Sequence, residues 1–388
     1  MFGLHPTSIR AGAVRGVLLC STCLVSAVTA ADPARADFEA TIGGTWNTAY
    51  GFVDQDDGDG DGGDGRQNQA INQDWELNFR AQQTLDNGIV VGGRLELEGA
   101  TNNDADSVDS GSAGSDQVDE RWLFFRGGFG EIRAGDEDDA RRLMSYTAPD
   151  PTNFLFGVNS PSFTFASFGE GQVVSTNSTT PFDGDSAKVI YFTPTFGGFQ
   201  LAVSYAPDST QDRSSFGTGG TDESGQVSNL WSVGANWSGE FGGFTAGFGG
   251  GYSAAYSETG GDDPVVGNLG VNFGLGGFKL GGSVAIGRDT EEIGFNGYSV
   301  SEATVFDLGV TYGFDQVVVG IGWSHGEYED AIDGGDDALD YVNLGASYTL
   351  GPGVLLAGFV GLFDYEDDGP ASNDNGGMQS GVGASLDF

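Results

Sequence analysis

From Phe38 to Phe388 the sequence keeps returning a large apolar residue at every second position. In the run Phe306 to Phe314, Phe306, Leu308, Val310, Tyr312 and Phe314 alternate with Asp307, Gly309, Thr311 and Gly313. Period two puts such sets on opposite faces of a β-strand. Only Asp315-Gln316 separates this run from the next, which begins at Val317. Farther on, Val342, Leu344, Ala346 and Tyr348 alternate with Asn343, Gly345, Ser347 and Thr349. The final run sets Met378, Val382, Ala384, Leu386 and Phe388 against Gln379, Gly381, Gly383, Ser385 and Asp387.

The pattern predicts sixteen strands, starting near Phe38, Asn72, Ile89, Gln117, Glu131, Asp185, Phe199, Gln226, Gly243, Val265, Phe278, Ser301, Val317, Ala338, Val354 and Gly377. Connections after even-numbered strands are short, such as Asp86-Asn87-Gly88 and Leu350 to Gly353. Asn-Gly and Gly-Pro-Gly are residues that tight hairpins favour. Connections after odd-numbered strands are long and acidic, the longest being Asp136 to Gly184. An even count with both termini on the short-turn side is the topology of an outer-membrane barrel. A soluble sandwich would mix loop lengths without regard to parity. The expected fold is therefore all-β: a sixteen-stranded antiparallel transmembrane barrel occupying residues 37–388.

In a soluble protein the apolar face would be a core. Here the other face is mostly Gly, Ser, Thr, Asn, Asp and Arg, too small and polar to fill so wide an interior, and a barrel of this size encloses water. The apolar face is then expected to meet lipid. Trp46, Trp122, Trp231, Trp237 and Trp323 lie near predicted strand ends and are expected in the interfacial aromatic girdles.

Charge narrows the partners. Lys and Arg number 15 against 56 Asp and Glu, a net charge of −41, which argues against nucleic acid. High acid and glycine content alone would suggest disorder, but 28 Phe, 12 Tyr and 6 Trp have to pack somewhere. The first residues read as a secretory signal: Arg10 and Arg15, then an apolar stretch from Gly16 to Val28. Cleavage is expected after Ala34-Arg35-Ala36, giving a leader of residues 1–36, with cleavage after residue 30 as the alternative. Both cysteines, Cys20 and Cys23, fall in this leader, which leaves no disulfide framework and no thiol nucleophile. His325 is the only histidine beyond the leader, and no Ser/His/Asp arrangement surrounds it. The glycine runs lack a following helix and are not phosphate loops. No enzyme and no cofactor are expected.

Two further signals are local. Leu386-Asp387-Phe388 is the ending expected of a strand handed to outer-membrane assembly machinery. Asp57-Gly58-Asp59-Gly60-Asp61-Gly62 copies the start of an EF-hand loop, yet position twelve is Asn68 rather than Glu. A solvated acidic loop is the favoured reading. The other is a loose Ca²⁺ site at Asp57, Asp59 and Asp61, which would help the loops sit beside anionic lipopolysaccharide.

The run Asp119-Glu120-Arg121-Trp122-Leu123-Phe124-Phe125-Arg126-Gly127-Gly128-Phe129-Gly130-Glu131-Ile132-Arg133-Ala134-Gly135 resembles general bacterial porins of Gram-negative outer membranes, which carry an aromatic strand, a Gly-Gly-Phe-Gly turn and a short basic strand there. Ala187 to Pro194 followed by Phe196 to Tyr205 is similar to that family's Tyr-x-x-Pro turn and next strand. The resemblance implies a homotrimer of sixteen-stranded barrels through which small hydrophilic solutes diffuse. It also implies that the third loop, here about residues 136–184, folds inward and narrows the pore. Ser167-Phe168-Gly169-Glu170-Gly171 resembles the Phe-Gly-Gly element of that loop. Ser167 and Asp136 depart from the family's usual acid and Arg, so its constriction charges do not transfer directly.

By alternation, Asp74, Glu76, Asn78 and Arg80 share one inward face, and Arg94, Glu96 and Glu98 another; Asp119, Arg121, Arg133 and Lys188 follow on the next strands. These bases are expected to face the loop acids Asp138, Asp139, Asp150 and Glu170 across the lumen and to set up a transverse field. The acidic excess predicts cation preference, since counter-ions concentrate within a Debye length of about 8–10 Å. A substrate-selective channel, marked by an aromatic ladder or basic cluster in the lumen, and a non-conducting structural or adhesive barrel are the alternatives.

Overall fold

The computed structural model describes residues 38–56, 68–98, 118–153, 155–159, 165–166, 176–180, 182, 184, 186–209, 227–293, 299–329, 335–369 and 374–388. The leader, Asp57, Asp59, Asp61 and Glu170 lie outside them.

Sixteen strands form: β1 (Phe38–Gln55), β2 (Gln69–Thr84), β3 (Val90–Glu98), β4 (Val118–Gly127), β5 (Gly130–Asp136), β6 (Ala187–Phe192), β7 (Phe199–Asp208), β8 (Val227–Phe241), β9 (Phe244–Ser257), β10 (Val265–Leu275), β11 (Phe278–Arg288), β12 (Glu302–Phe314), β13 (Val317–Glu329), β14 (Asp337–Gly351), β15 (Val354–Asp367) and β16 (Asn375–Asp387). Each start falls within three residues of its predicted position. Every strand pairs with its sequence neighbours, and β1 pairs with β16 to close the barrel. Closure leaves no unpaired edge, as a sheet in hydrocarbon requires. Phe388 and Gly44 complete the seam by exchanging two backbone hydrogen bonds of 3.1 Å. At the Asp86–Gly88 turn, Gly88 takes a φ of +82°, and Asn87 Oδ1 accepts the Ile89 amide at 3.1 Å.

The apolar set faces outward. Trp46, Leu123, Trp231, Leu269, Leu308, Leu344 and Val382 are exposed around the circumference. Trp46 and Trp75 are cross-strand partners with rings 6.3 Å apart. Trp237 stacks on Phe248 at 4.7 Å near the short-turn rim. Trp122 departs from the girdle expectation: it points inward and keeps only 7% of its surface.

The inward face is also less wet than its composition suggests. A four-residue helix, α1 (Ala140–Leu143), follows β5, and the described residues of the β5–β6 connection lie inside the barrel. They pack on inward side chains in three dry clusters. Leu155, Phe156, Val158 and Phe165 join Ala49, Tyr341, Ala357 and Phe359. Ala140 and Met144 join Ile190, Phe192 and Ala202. Phe182 joins Val227, Val266, Val305 and Tyr328. Part of the inward face is dry because the loop supplies the apolar partners that the strands alone lack.

Candidate functional site

The β5–β6 loop sweeps round the wall one strand after another. Ala140 N donates to Ser204 Oγ (3.1 Å) on β7, and Arg141 N to Ser232 Oγ (2.8 Å) on β8. On β10, Asn268 Nδ2 donates to Ser145 Oγ (2.6 Å) and Asn272 Nδ2 to the Thr147 carbonyl (3.0 Å). Asp307 on β12 accepts Ala148 N (2.6 Å), Asn159 Nδ2 (2.5 Å) and Ser178 Oγ (2.9 Å), so it holds both limbs of the loop. Ser347 Oγ on β14 donates to the Pro151 carbonyl (2.6 Å), and Gln379 Oε1 on β16 accepts the Phe165 amide (2.8 Å). Glycines make the close approach possible. A Cβ at Gly270 would lie 1.7 Å from the Tyr146 carbonyl oxygen, and one at Gly249 2.0 Å from that of Met144.

The loop thus occupies the side of β7–β16, and the polar wall of β2–β6 stands opposite. The register places Glu76 and Arg80 on the inward face of β2, and Arg94 and Glu96 on that of β3. Arg94 reaches Glu96 and, at 3.0 Å, Glu120. Arg133 binds Glu131 (2.7 Å) and Glu137 (2.8 Å), and Arg126 binds Glu131 (2.5 Å). Burial pushes the Glu137 carboxyl above its ordinary range, against the pull of Arg133. The guanidiniums also lie over aromatic rings. Arg80 is 5.1 Å and Arg126 4.9 Å from the Phe124 ring, and Arg133 is 4.4 Å from Trp122 and 4.7 Å from Phe192. Stacking of this kind fixes a guanidinium without neutralising it.

Several expected placements change. Arg121 pairs across with Leu95 and shares the face of Leu123 and Phe125, so it points outward, where it binds Asp136. The cause is a bulge: Leu95 is paired with Arg121 but Leu97 with Val118. The extra residue reverses inside and outside along β4. Asp139 does not look across the lumen. It is buried beneath α1, accepting from Ser232 Oγ (3.3 Å), Ser253 Oγ (3.2 Å) and Arg142 N (2.8 Å), with the buried Arg141 at 3.6 Å. Asp138 pairs with Arg142 at 3.0 Å. Asp150 accepts Thr152 N and Oγ1, both at 2.7 Å, and borders a cavity of about 490 Å³ with Tyr146, Asn272 and Lys279. Lys188 is a clasp rather than an open lumen charge: its Nζ donates to the carbonyls of Glu137 and Gly184, near the two ends of the loop.

Glu120, Arg126, Glu131, Glu137 and Arg142 belong to this wall and loop although the sequence did not single them out. Counting outward from the turn Gly127–Gly130 would have found the cross-strand pair Arg126 and Glu131. Asp307 carries no sequence signal of its role, because its partners in the loop lie more than a hundred residues away.

A family model described as Gram-negative porin matches residues 21–368. No curated protein matches the chain. Among solved structures, an anion-selective porin from Comamonas acidovorans is similar at 18% identity, with a TM-score of 0.56 over 91% of this chain and 100% of that one. The outer membrane channel DcaP of Acinetobacter baumannii is similar at 14% identity, with a TM-score of 0.59 over 92% and 99%. OmpT of Vibrio cholerae, an outer membrane protein in its trimer form, is similar at 14% identity, with a TM-score of 0.54 over 90% and 99%. At these identities the likeness concerns the fold.

Proposed function

The chain belongs to the Gram-negative porin family and is an outer-membrane β-barrel channel, and on that premise we propose that it passes small hydrophilic solutes and ions by diffusion with a preference for cations. The observation that carries this reading is the charge of the passage. Glu76, Glu96, Asp119, Glu120, Glu137 and Asp138 interact with one another at the loop-side mouth, six acids against the three bases Arg94, Arg133 and Arg142 that reach them. Carboxylates in excess on low-dielectric walls concentrate cations. The net charge of −41 acts in the same direction.

The protein works as a homotrimer, a reading supported by the family and by the trimer form of the similar Vibrio protein. It reaches the outer membrane after removal of residues 1–36, with Phe388 read by the assembly machinery, and its acidic loops meet lipopolysaccharide through divalent ions. Reversal potentials across a KCl gradient test the preference: a potential of the sign for K⁺ is expected, and one for Cl⁻ refutes the charge argument. Gel mobility before and after heating tests the trimer.

A second reading, a solute-selective channel, is favoured by one observation: the guanidiniums of Arg80, Arg126 and Arg133 lie on the rings of Phe124, Trp122 and Phe192. Under that reading current saturates as an anionic solute is raised; under simple diffusion it rises in proportion.

A further inference from the structure

The charges of the β2–β6 wall are sorted along the passage as well as across it. Strand direction gives the order, since β2 and β4 descend from the loop side while β3 and β5 ascend from the turn side. On β2, Glu76 precedes Arg80 on the way down; on β3, Glu96 lies above Arg94; on β4, Glu120 lies above Trp122, Phe124 and Arg126; on β5, Glu137 lies above Arg133. The register ties these levels together, for Arg80 pairs with Arg94, Arg94 with Trp122, and Phe124 with Arg133. An acidic zone therefore meets incoming ions at the loop side, and a basic zone lies below it.

The basic zone holds its sign. Arg80 donates to Gln82 and stacks on Phe124 and, among the described residues, has no carboxylate partner. Glu131 is shared between Arg126 and Arg133, and Arg133 also reaches up to Glu137 in the acidic zone, so Glu131 is the one carboxylate these two guanidiniums meet at their own level. Lys279 adds positive charge at the turn-side end of β11 on the opposite wall. Glu39, Asp86, Glu240, Asp315 and Asp387 are acids of the turn-side rim; all five are exposed there, beyond the basic zone, where bulk salt screens them.

From this arrangement we propose that the channel rectifies: it conducts better when the loop side is positive. The inference rests on the channel reading above. With the loop side positive, cations enter through the acidic zone and anions through the basic zone, and both accumulate where the zones meet. With the polarity reversed, each zone withholds the ion being driven through it, the junction is depleted and the current falls. A purely transverse arrangement of the same charges has no such polarity.

The test is the current–voltage curve of the full-length mature protein in planar bilayers, in symmetric KCl. Orientation is set by an Asn87→Cys variant, biotinylated at the thiol and bound by streptavidin from the turn side only. At about 0.1 M salt, where the Debye length is ~10 Å, the current at about 100 mV is expected to be roughly two-fold larger with the loop side positive. At about 1 M, where it is ~3 Å, the two currents become equal. The double variant Arg80→Gln/Arg126→Gln loses the asymmetry, and so does Glu96→Gln/Glu120→Gln. Arg80→Lys/Arg126→Lys keeps it, which separates charge from packing. Equal currents in wild type at low salt, or an asymmetry that survives both Gln pairs, overturns the proposal and leaves the channel reading standing. Absence of current in either polarity removes the channel reading, and this one with it.

Discussion

Asp307 Oδ1 accepts the backbone amide of Ala148 at 2.6 Å, joining β12 to the β5–β6 loop across 159 residues of sequence. Its other oxygen accepts from Asn159 and Ser178 and also contacts Ser283. One carboxylate on the wall therefore fixes the outgoing and the returning limb of the loop that sets the free width of the passage. The barrel is held by its backbone ladder, whereas the loop is held by side chains such as this one.

Replacing Asp307 with Ala leaves the buried Ala148 amide without its acceptor, whereas Asn159 Nδ2 keeps Ser178 Oγ at 2.6 Å. Each buried group left unpaired costs ~1–3 kcal/mol. The expected result is a barrel that still refolds, a loop that no longer holds one position, and noisier single-channel current. Asp307→Asn keeps one acceptor oxygen and recovers part of the quiet behaviour. Recordings at fixed voltage, with heat-modified gel mobility as the check on folding, measure both.

Gly270 is a position where size alone matters. A Cβ there would stand 1.7 Å from the Tyr146 carbonyl oxygen, too close for any adjustment short of moving the loop. Gly270→Val is expected to change unit conductance while the strand pairing of β10 survives. Gly128→Ala is the matched control, since nothing lies within 4 Å of its Cβ position, and its conductance stays that of wild type.

The outward placement of Arg121 separates it from the lumen bases. Its side chain is 38% exposed, and a partly exposed ion pair is worth ~0–1 kcal/mol. Arg121→Gln is expected to leave the reversal potential in a KCl gradient where it was. Arg80→Gln, which removes an inward charge, moves it toward the K⁺ limit. Equal shifts from the two variants would return Arg121 to the lumen.

The proposed reading of Phe388 by the assembly machinery sets delivery apart from folding. Its contacts with Gly44 are backbone hydrogen bonds, and its ring is 62% exposed. Phe388→Ala is expected to refold in detergent from urea as wild type does, yet to reach the outer membrane in several-fold smaller amount. Membrane fractionation beside in-vitro refolding measures the two, and equal delivery would deny the terminal residue its role as a signal.

Period-two alternation told inside from outside wherever the two faces differed in polarity, as from Phe306 to Phe314. Turn chemistry and the parity of loop lengths then fixed the strand count and the hairpin order, because each is a local property of neighbouring residues, whereas closure pairs β1 with β16 at the far end of the chain. The rule failed at Trp122-Leu123-Phe124-Phe125, where both faces are aromatic or aliphatic and no contrast in polarity remains to be read. There a single bulge decided which ring pointed inward. Tertiary structure alone decided the course of the β5–β6 loop as well, for Asp139 was drawn to serines on β8 and β9 and Asp307 became a latch. Such choices depend on which distant polar groups a buried side chain finds within about 3 Å, and sequence separation carries no record of that distance.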